Sequence, residues 1–498
     1  MTMPATPIRI AAARSLAALA AFAVFAVFAL VAGAGLPGCV LYLNPLCSDL
    51  IRNGDETDVD CGGTCGPCNV GDRCIVDDDC DKGTCDDGRC KALPCADGVQ
   101  DGDETDVDCG GSCRKCAGAR RCQVAGDCFS GTCVATTSTC SGLATVSFAA
   151  PAAYPSGQKT YALLAGDLDG DGDLDLVAAN EQESTVAVFL NDGAGAFTRL
   201  PRVVTGQYPT GGALADLNRD SVLDLVTADY HGNSVSVLLG LGGGALAEKV
   251  SYPTVVGGET SNLAVSDVNG DGNLDVIATN PLSSSASQLL GRPDGTFETA
   301  TAIPVGIIDA SAPYSVAIGD FDRNGTADLA IADVRSATIV VRLGNGDGTY
   351  QPEVPYLPAG VPPYVLLARD LDVDGNLDLV CANRGSDDVS VLLGRGDGRF
   401  RRAIVSTTGA GTGPYSLAVA DFNQDGVPDV VTANYETSTG SVLLGIGTGA
   451  FEAPIDAGPT GDACYGVAAG DFNKDGKPDF ATANSRSNDV TVKLSTGR

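Results

Sequence analysis

The sequence predicts an all-β protein, a seven-bladed β-propeller preceded by a small disulfide-rich double module, and three observations carry that prediction. An acidic nonapeptide recurs seven times, beginning at Asp167, Asp216, Asp267, Asp320, Asp370, Asp421 and Asp471, at intervals of 49 to 53 residues. Each repeat holds four short apolar stretches with the two-residue alternation of strands and without a helical period. A spare strand-like stretch, Val146 to Gly157, precedes the first repeat, while the last repeat stops at Arg498 without its fourth stretch. Four-stranded units repeated at this period stack radially and leave only short edges. The spare strand is then the piece that completes the last blade and closes the ring.

Within a repeat the elements follow in a fixed order. An alternating run such as Tyr314 to Asp320 (YSVAIGD) leads into the acidic loop, and a buried-looking run such as Leu176 to Asn180 (LVAAN) leaves it. A third run follows, as in Val389 to Leu393 (VSVLL), then a Gly-rich turn such as Gly344 to Gly348, an aromatic residue and a more polar fourth stretch.

All seven loops are versions of D-x-[DN]-x-[DN]-G-x-x-D, with Ser221 in place of the sixth-position Gly in the second. Oxygen-bearing side chains at positions one, three, five and nine, with a backbone carbonyl at seven, can surround one Ca²⁺ in a tight turn. The expected ligands are Asp167, Asp169, Asp171, Asp173 and Asp175 in the first loop, and Asp216, Asn218, Asp220 and Asp224 in the second. Asp267, Asn269, Asp271 and Asp275 form the third set, and Asp320, Asp322, Asn324 and Asp328 the fourth. Asp370, Asp372, Asp374 and Asp378 follow, then Asp421, Asn423, Asp425 and Asp429, and last Asp471, Asn473, Asp475 and Asp479. Glycine at position six allows the sharp bend, so Ser221 should make the second loop the weakest. The loops are not EF-hands: position twelve is Ala178, Thr227, Ala278, Ile331, Cys381, Thr432 or Thr482, never Glu, and a strand follows. Seven bound Ca²⁺ would take the formal charge from −32 to −18. With the loop saturated by protein oxygens, the metal is expected to be structural rather than catalytic.

These loops and turns resemble the FG-GAP or VCBS-type repeat of bacterial surface proteins, related to the integrin α-subunit propeller. The literal Phe-Gly…Gly-Ala-Pro signature is replaced by Gly-x-Gly-x-Phe/Tyr turns such as Gly193 to Phe197 and Gly346 to Tyr350. The resemblance implies a propeller over residues 142–498, with the Ca²⁺ loops on one face and the second-to-third-strand loops on the other.

The first 38 residues read as an export signal: Arg9 and Arg14 precede an uncharged run from Leu16 to Ala34, then Leu36-Pro37-Gly38-Cys39. The ending resembles a bacterial lipobox, which implies lipidation of Cys39. Val40 in place of Asp then implies outer-membrane sorting, with secretion as the alternative. An uncleaved membrane anchor is the rival reading, because 19 apolar residues can just span a bilayer. A short linker, 39–46, leads to two eight-Cys repeats, 47–94 and 95–141, in which GDETDVDCGG recurs from Gly54 and Gly102. Too few large apolar residues are present for a core, so cross-links must hold each repeat. Four disulfides per repeat are expected, with the pairing open; zinc at Cys65-x-x-Cys68 is the rival. The repeats resemble Cys-rich NGxETDVDCGG units of exported myxobacterial proteins, and are expected to act as a rigid stalk.

Composition removes several functions. With 63 acidic against 31 basic residues, nucleic acid is not a partner. One His, His231 in a loop, leaves little room for His-based catalysis. Arg395-Gly396-Asp397 occupies the same turn as Asn345-Gly346-Asp347, so it reads as a turn rather than an adhesion tripeptide. Asn324-Gly325-Thr326, a glycosylation sequon, lies inside an acidic loop. Cys381 and Cys464, two blades apart, are expected to be separate buried thiols.

Three functions remain: a monomeric, surface-anchored module recognising a protein or polysaccharide, a polysaccharide-processing or phospholipase-like enzyme, and a purely structural envelope protein. The repeats vary in length by only four residues, which leaves no long loop for a grafted catalytic site. Recognition therefore leads, the chain is not expected to be an enzyme, and no catalytic residue is assigned. The expected contact residues are Tyr230, Arg335, Arg384, Tyr435 and Arg486 between second and third strands, because Arg and Tyr dominate binding hot spots. Tyr161, Tyr314, Tyr364, Tyr415 and Tyr465 stand six residues before an acidic loop, at the start of the innermost strand. Alternation places Tyr314 with Val316 and Ile318, as packing; the competing reading is an aromatic ring at the channel mouth.

Overall fold

Seven antiparallel sheets follow one another along the chain, six of four strands and a first whose outer strand is split in two. The computed structural model describes residues 146–306, 311–356 and 362–497, and in the Cys-rich region residues 73, 83–86, 89–92, 100, 109, 115–116, 120–128 and 133–140. Blade four is representative: Pro313–Gly319, Asp328–Asp333, Thr338–Arg342 and Val354–Tyr356 lie side by side in chain order. Among the described residues there is no α-helix, and none long and apolar enough to cross a membrane.

The continuous apolar runs become the second strand of each blade, buried at all six positions in all seven. Such a strand has a neighbouring sheet against each face, so both sides of the pleat must be apolar. The core is accordingly divided among the seams between blades. Leu176 and Phe189 of the first blade pack with Phe472 and Val490 of the last, and Ile339 of the fourth with Leu379 of the fifth. Aromatic residues after the Gly-rich turns staple seams between blades, the second blade having Ala245 and Leu246 instead: Phe400 lies 5.4 Å from Phe321 and 5.6 Å from Tyr356 of the preceding blade.

Closure occurs as the spare strand predicts. Ala152–Pro155 pairs antiparallel with Asp489–Lys493, setting Tyr154 opposite Val490. The match extends past the strand: Phe148 bridges Ser495 as Phe400 bridges Gly394 within its own blade. Phe148 thus supplies the turn aromatic of the last blade from the other end, its ring 4.9 Å from Phe480.

In the second Cys-rich repeat, disulfides join Cys109 to Cys116, Cys122 to Cys133 and Cys128 to Cys140. These thiols are spent on one another, which removes the zinc reading for them. The export segment, Cys39, residues 40–46 and Cys65-x-x-Cys68 lie outside the described residues. Cys381 and Cys464 are free and buried, as expected.

Candidate functional site

The aspartate loops join first to second strands and share one geometry. In all seven, the Oδ2 of the first Asp accepts the N–H of the sixth residue at 2.7–3.0 Å. The ninth residue, always Asp, opens the second strand and is fully buried. Its Oδ2 accepts the N–H of the loop's second residue at 2.7–2.9 Å. Its Oδ1 accepts an N–H from 16 residues onward, at the exit of the third strand, at 2.6–2.8 Å. One carboxylate therefore pins three segments of the blade. Burial pushes the Asp429 carboxyl up to about 8 and Asp378 up to about 7, with the two N–H donors opposing the shift.

Three carboxylates converge in the loops that carry Asp at position three. Asp167, Asp169 and Asp175 each present an oxygen within 4.8 Å of the others, as do Asp320, Asp322 and Asp328, and Asp370, Asp372 and Asp374. The remaining loops have Asn218, Asn269, Asn423 or Asn473 at that position. Asp173, expected as a ligand, lies outside the first convergent group, and its carboxylate faces Lys474 of the last loop.

The sixth residue is left-handed throughout, with φ of 82° to 87° for the glycines and 67° for Ser221. The fourth residue is left-handed too, with φ between 55° and 83°, although only Gly170 and Gly270 are glycines there. Where the fourth side chain is long and polar it can reach the next loop round the ring, as Arg219 and Gln424 do. Arg219 Nη2 donates to Gly272 O and, at 3.1 Å, to Asn273 Oδ1, and Gln424 Nε2 donates to Gly476 O at 2.5 Å.

The opposite face carries the tyrosines. In the fourth to seventh blades the first strand bulges at the tyrosine: Pro313 pairs with Asp333 and Ser315 with Ala332, so Tyr314 is skipped. A bulge re-aims its extra residue, and the alternation that grouped Tyr314 with Val316 and Ile318 fails there. The rings turn to the propeller axis instead. The Tyr161 hydroxyl lies 2.7 Å from that of Tyr314, both meet the Tyr415 hydroxyl, and Tyr314 and Tyr415 are 2.5 Å apart. Tyr465 stacks on Tyr161 at 4.3 Å, and Tyr364 lies 4.7 Å from Tyr415. Burial and the neighbouring phenols raise the Tyr161 and Tyr415 hydroxyls well above the ordinary range. Beside this plug the channel holds a cavity of about 330 Å³ lined by Tyr161, Tyr314, Leu263, Val316, Leu366 and Leu417.

The rim of this face brings together part of the expected set. Tyr435 lies 4.8 Å from Tyr465, and the Arg384 guanidinium sits 4.5 Å over Tyr435 and 2.6 Å from Glu436. Tyr230 stands beside His231, at 5.1 Å. Arg486 pairs with Asp462 at 3.0 Å rather than joining the tyrosines, and the Arg335 backbone N–H is held by Asp333 at 3.0 Å.

The FG-GAP-like repeat family matches at residues 167–227, 216–278, 267–331, 370–432 and 421–482, more than half of the chain, and every aspartate loop falls inside a match. The chain belongs to this family. Solved structures similar to it include an Agrocybe aegerita lectin described as recognising non-reducing terminal N-acetylglucosamine, at 20% identity over 66% of this chain and 86% of the other, TM-score 0.45. Others are a protein from Lactobacillus plantarum, at 14% identity, 66% and 90% coverage and TM-score 0.48, and the virginiamycin B lyase of Staphylococcus aureus, at 9% identity, 69% and 99% coverage and TM-score 0.48. These likenesses concern the fold alone. No curated protein matches the chain.

One cluster on this face of the FG-GAP repeat propeller escapes a reading of the sequence. Tyr208 precedes Pro209 in the loop leading into blade two, where its ring lies 4.4 Å from His231, and His231 Nδ1 is 3.3 Å from Glu259. Nothing in the repeat pattern marks these three, which lie in the loops entering blades two and three and in the second-to-third-strand loop of blade two. The fourth loop position did leave a trace: Arg219, Arg323, Gln424 and Lys474 are all long and polar.

Proposed function

We propose that this chain is an exported, envelope-anchored recognition protein whose propeller binds a protein or polysaccharide partner on the tyrosine face, with Ca²⁺ holding the opposite loops. The observation that carries the reading is the cluster at the channel mouth, where five tyrosines from five blades meet Tyr435 and Arg384 on a rigid scaffold. A large aromatic surface with a guanidinium at its edge is the composition of a binding hot spot.

The donor set fits an oxygen-preferring cation. Asp167, Asp169 and Asp175 converge, as do Asp320, Asp322 and Asp328, and the loop backbone is already bent around them. In each of the seven loops the residues at positions one, three, five and nine would hold the ion. Bound Ca²⁺ would neutralise the crowded carboxylates and tie each first strand to its second. Lipidation of Cys39 would place the propeller at the outer membrane.

The test is a binding screen of the full chain against glycans and surface proteins, with and without chelator, repeated for Arg384→Ala with Tyr435→Ala. We expect binding that the double substitution removes at unchanged melting temperature. Binding that survives the double substitution would place the partner elsewhere. A melting temperature indifferent to chelator would remove calcium from the proposal, because an ion that binds only the folded loops must stabilise them.

A further inference from the structure

Resting on the recognition reading above, we infer that the tyrosine face takes an extended, uncharged polysaccharide. Three observations lead there. The first is extent. Rings run from Tyr435 to Tyr465 at 4.8 Å and on to Tyr161 at 4.3 Å, whose hydroxyl meets Tyr314 across the channel. On the far side the Tyr230 ring is 5.1 Å from His231, itself 4.4 Å from Tyr208. An aromatic stripe in two segments, Tyr435 to Tyr314 and Tyr230 to Tyr208, therefore lies across the face from blade six to blade two. It suits an extended chain better than a compact ligand seated in one pocket.

The second observation is what flanks the stripe at each end. Beside Tyr435, Arg384 and Glu436 form a donor–acceptor pair at 2.6 Å; beside Tyr208, His231 and Glu259 do so at 3.3 Å. A ring next to a paired donor and acceptor matches a pyranose, whose C–H face lies on the ring while adjacent hydroxyls both give and receive hydrogen bonds. The arrangement occurs twice, at opposite ends, so one chain can engage both and gain avidity from the linkage.

The third is charge. The opposite face is the strongly acidic one, where the seven loops hold 24 of the chain's 63 acidic residues. On the tyrosine face three cations are met locally: Lys159 by Glu181, Arg384 by Glu436, Arg486 by Asp462. Cations already met by carboxylates offer little free positive charge to an acidic polymer. The Arg–Glu and His–Glu pairs keep hydrogen-bonding capacity for neutral hydroxyls.

The experiment immobilises the full chain and measures binding of soluble dextran, xylan and mannan, of alginate and polygalacturonate of similar length, and of gelatin as a protein probe. We expect one of the neutral polymers to bind, with affinity that rises with chain length and is unchanged between 0.05 and 1 M NaCl, since uncharged contacts are not screened. Tyr435→Ala and Tyr208→Ala should each weaken binding about tenfold, the loss of one hot spot. Tyr208→Ala, at the rim, also serves if Tyr435→Ala disturbs the plug. Binding of an acidic polymer or gelatin alone, lost in the same variants, overturns the neutral-glycan inference and leaves the recognition face standing. Binding indifferent to both substitutions, or none to any probe, overturns both.

Discussion

Lys474, fourth residue of the last aspartate loop, pairs with Asp173, seventh residue of the first. The contact crosses the seam where the two ends of the propeller meet, on the face opposite the tyrosines. A double-mutant cycle of Lys474→Met and Asp173→Asn should give a positive coupling at low salt. The coupling should shrink in 0.5 M NaCl, because the lysine end is solvent-exposed and screened. Zero coupling at low salt would mean that the pair ties nothing together.

The same seam is closed by the strand Ala152–Pro155 and by Phe148. Phe148→Ala should cost about 2 kcal/mol, below the range for fully buried aromatics because the ring is half-buried. Its signature should be local. Amide exchange should quicken in Asp489–Lys493, which loses its anchored partner, and not in blades three and four. Uniform destabilisation round the ring would show that the last blade does not depend on this edge.

Ser221 holds the left-handed bend that glycine supplies in the other six loops. A left-handed non-glycine residue costs about 1–2 kcal/mol. Ser221→Gly should therefore raise metal-free stability by about 1 kcal/mol, part of the gain being lost to the freer unfolded chain. Val373, β-branched and at φ 59°, should respond to the same substitution in the same direction. Denaturant melts in chelator measure both; a loss of stability in either would mean that the side chain contributes more than its conformation costs.

Much of this architecture was legible because the repeat writes it seven times. The period located the blades, the alternation located the strands, and the orphan Val146 to Gly157 gave the closure down to its register neighbourhood. The tyrosine orientation was only half legible: a ring at the channel mouth was one of two readings, and it is the one these contacts match, while strand parity argued for packing. Parity along a strand assumes an uninterrupted ladder, and the skipped Tyr314 breaks it, so a packing position became a plug. His231, Glu259 and Tyr208 were hidden. They come from three separate loops, and only the fold makes them neighbours. Positive φ at the fourth loop residue was concealed because Arg219, Val373 and Lys474 are not residues from which a left-handed backbone is expected.

Asp229 closes the second strand of blade two, a position held by Asn180, Asn280, Asn383, Asn434 and Asn484 in five other blades. Burial raises its carboxyl to about 6, opposed by hydrogen bonds from Ser236, Ser234 and Thr227. The folded state thus binds this proton more tightly than the unfolded chain does. Stability contributed by the protonated form is complete below about 4 and is lost as pH rises through about 6. Asp229→Asn removes that dependence, and Asn434 shows that the hydroxyls can reverse: its Nδ2 donates to Ser441 at 2.8 Å while Thr432 donates to its Oδ1. The variant should match the parent near pH 4 and exceed it by up to about 3 kcal/mol above pH 6, the ceiling implied by the shift from 3.8 to about 6. A stability difference flat across pH 4 to 7 would show that Asp229 titrates normally.

The disulfides of the second Cys-rich repeat predict those of the first. The two repeats share backbone pairing as well as spacing. Cys85 stands opposite Cys90 in one hairpin as Cys133 does opposite Cys140 in the other, and Arg73 bridges Arg89 as Arg121 bridges Thr139. In the second repeat the opposed cysteines bond not to each other but back to Cys122 and Cys128. Transferred through the repeat, that pattern gives Cys74 with Cys85, Cys80 with Cys90 and Cys61 with Cys68. Four bonds per repeat then leave Cys47 with Cys65 and Cys95 with Cys113. Non-reducing peptide mapping of the chain produced under oxidising conditions should recover these pairs. A Cys85–Cys90 bond would show that the two hairpins are not equivalent, whereas a free Cys95 or Cys113 would end the four-bond scheme.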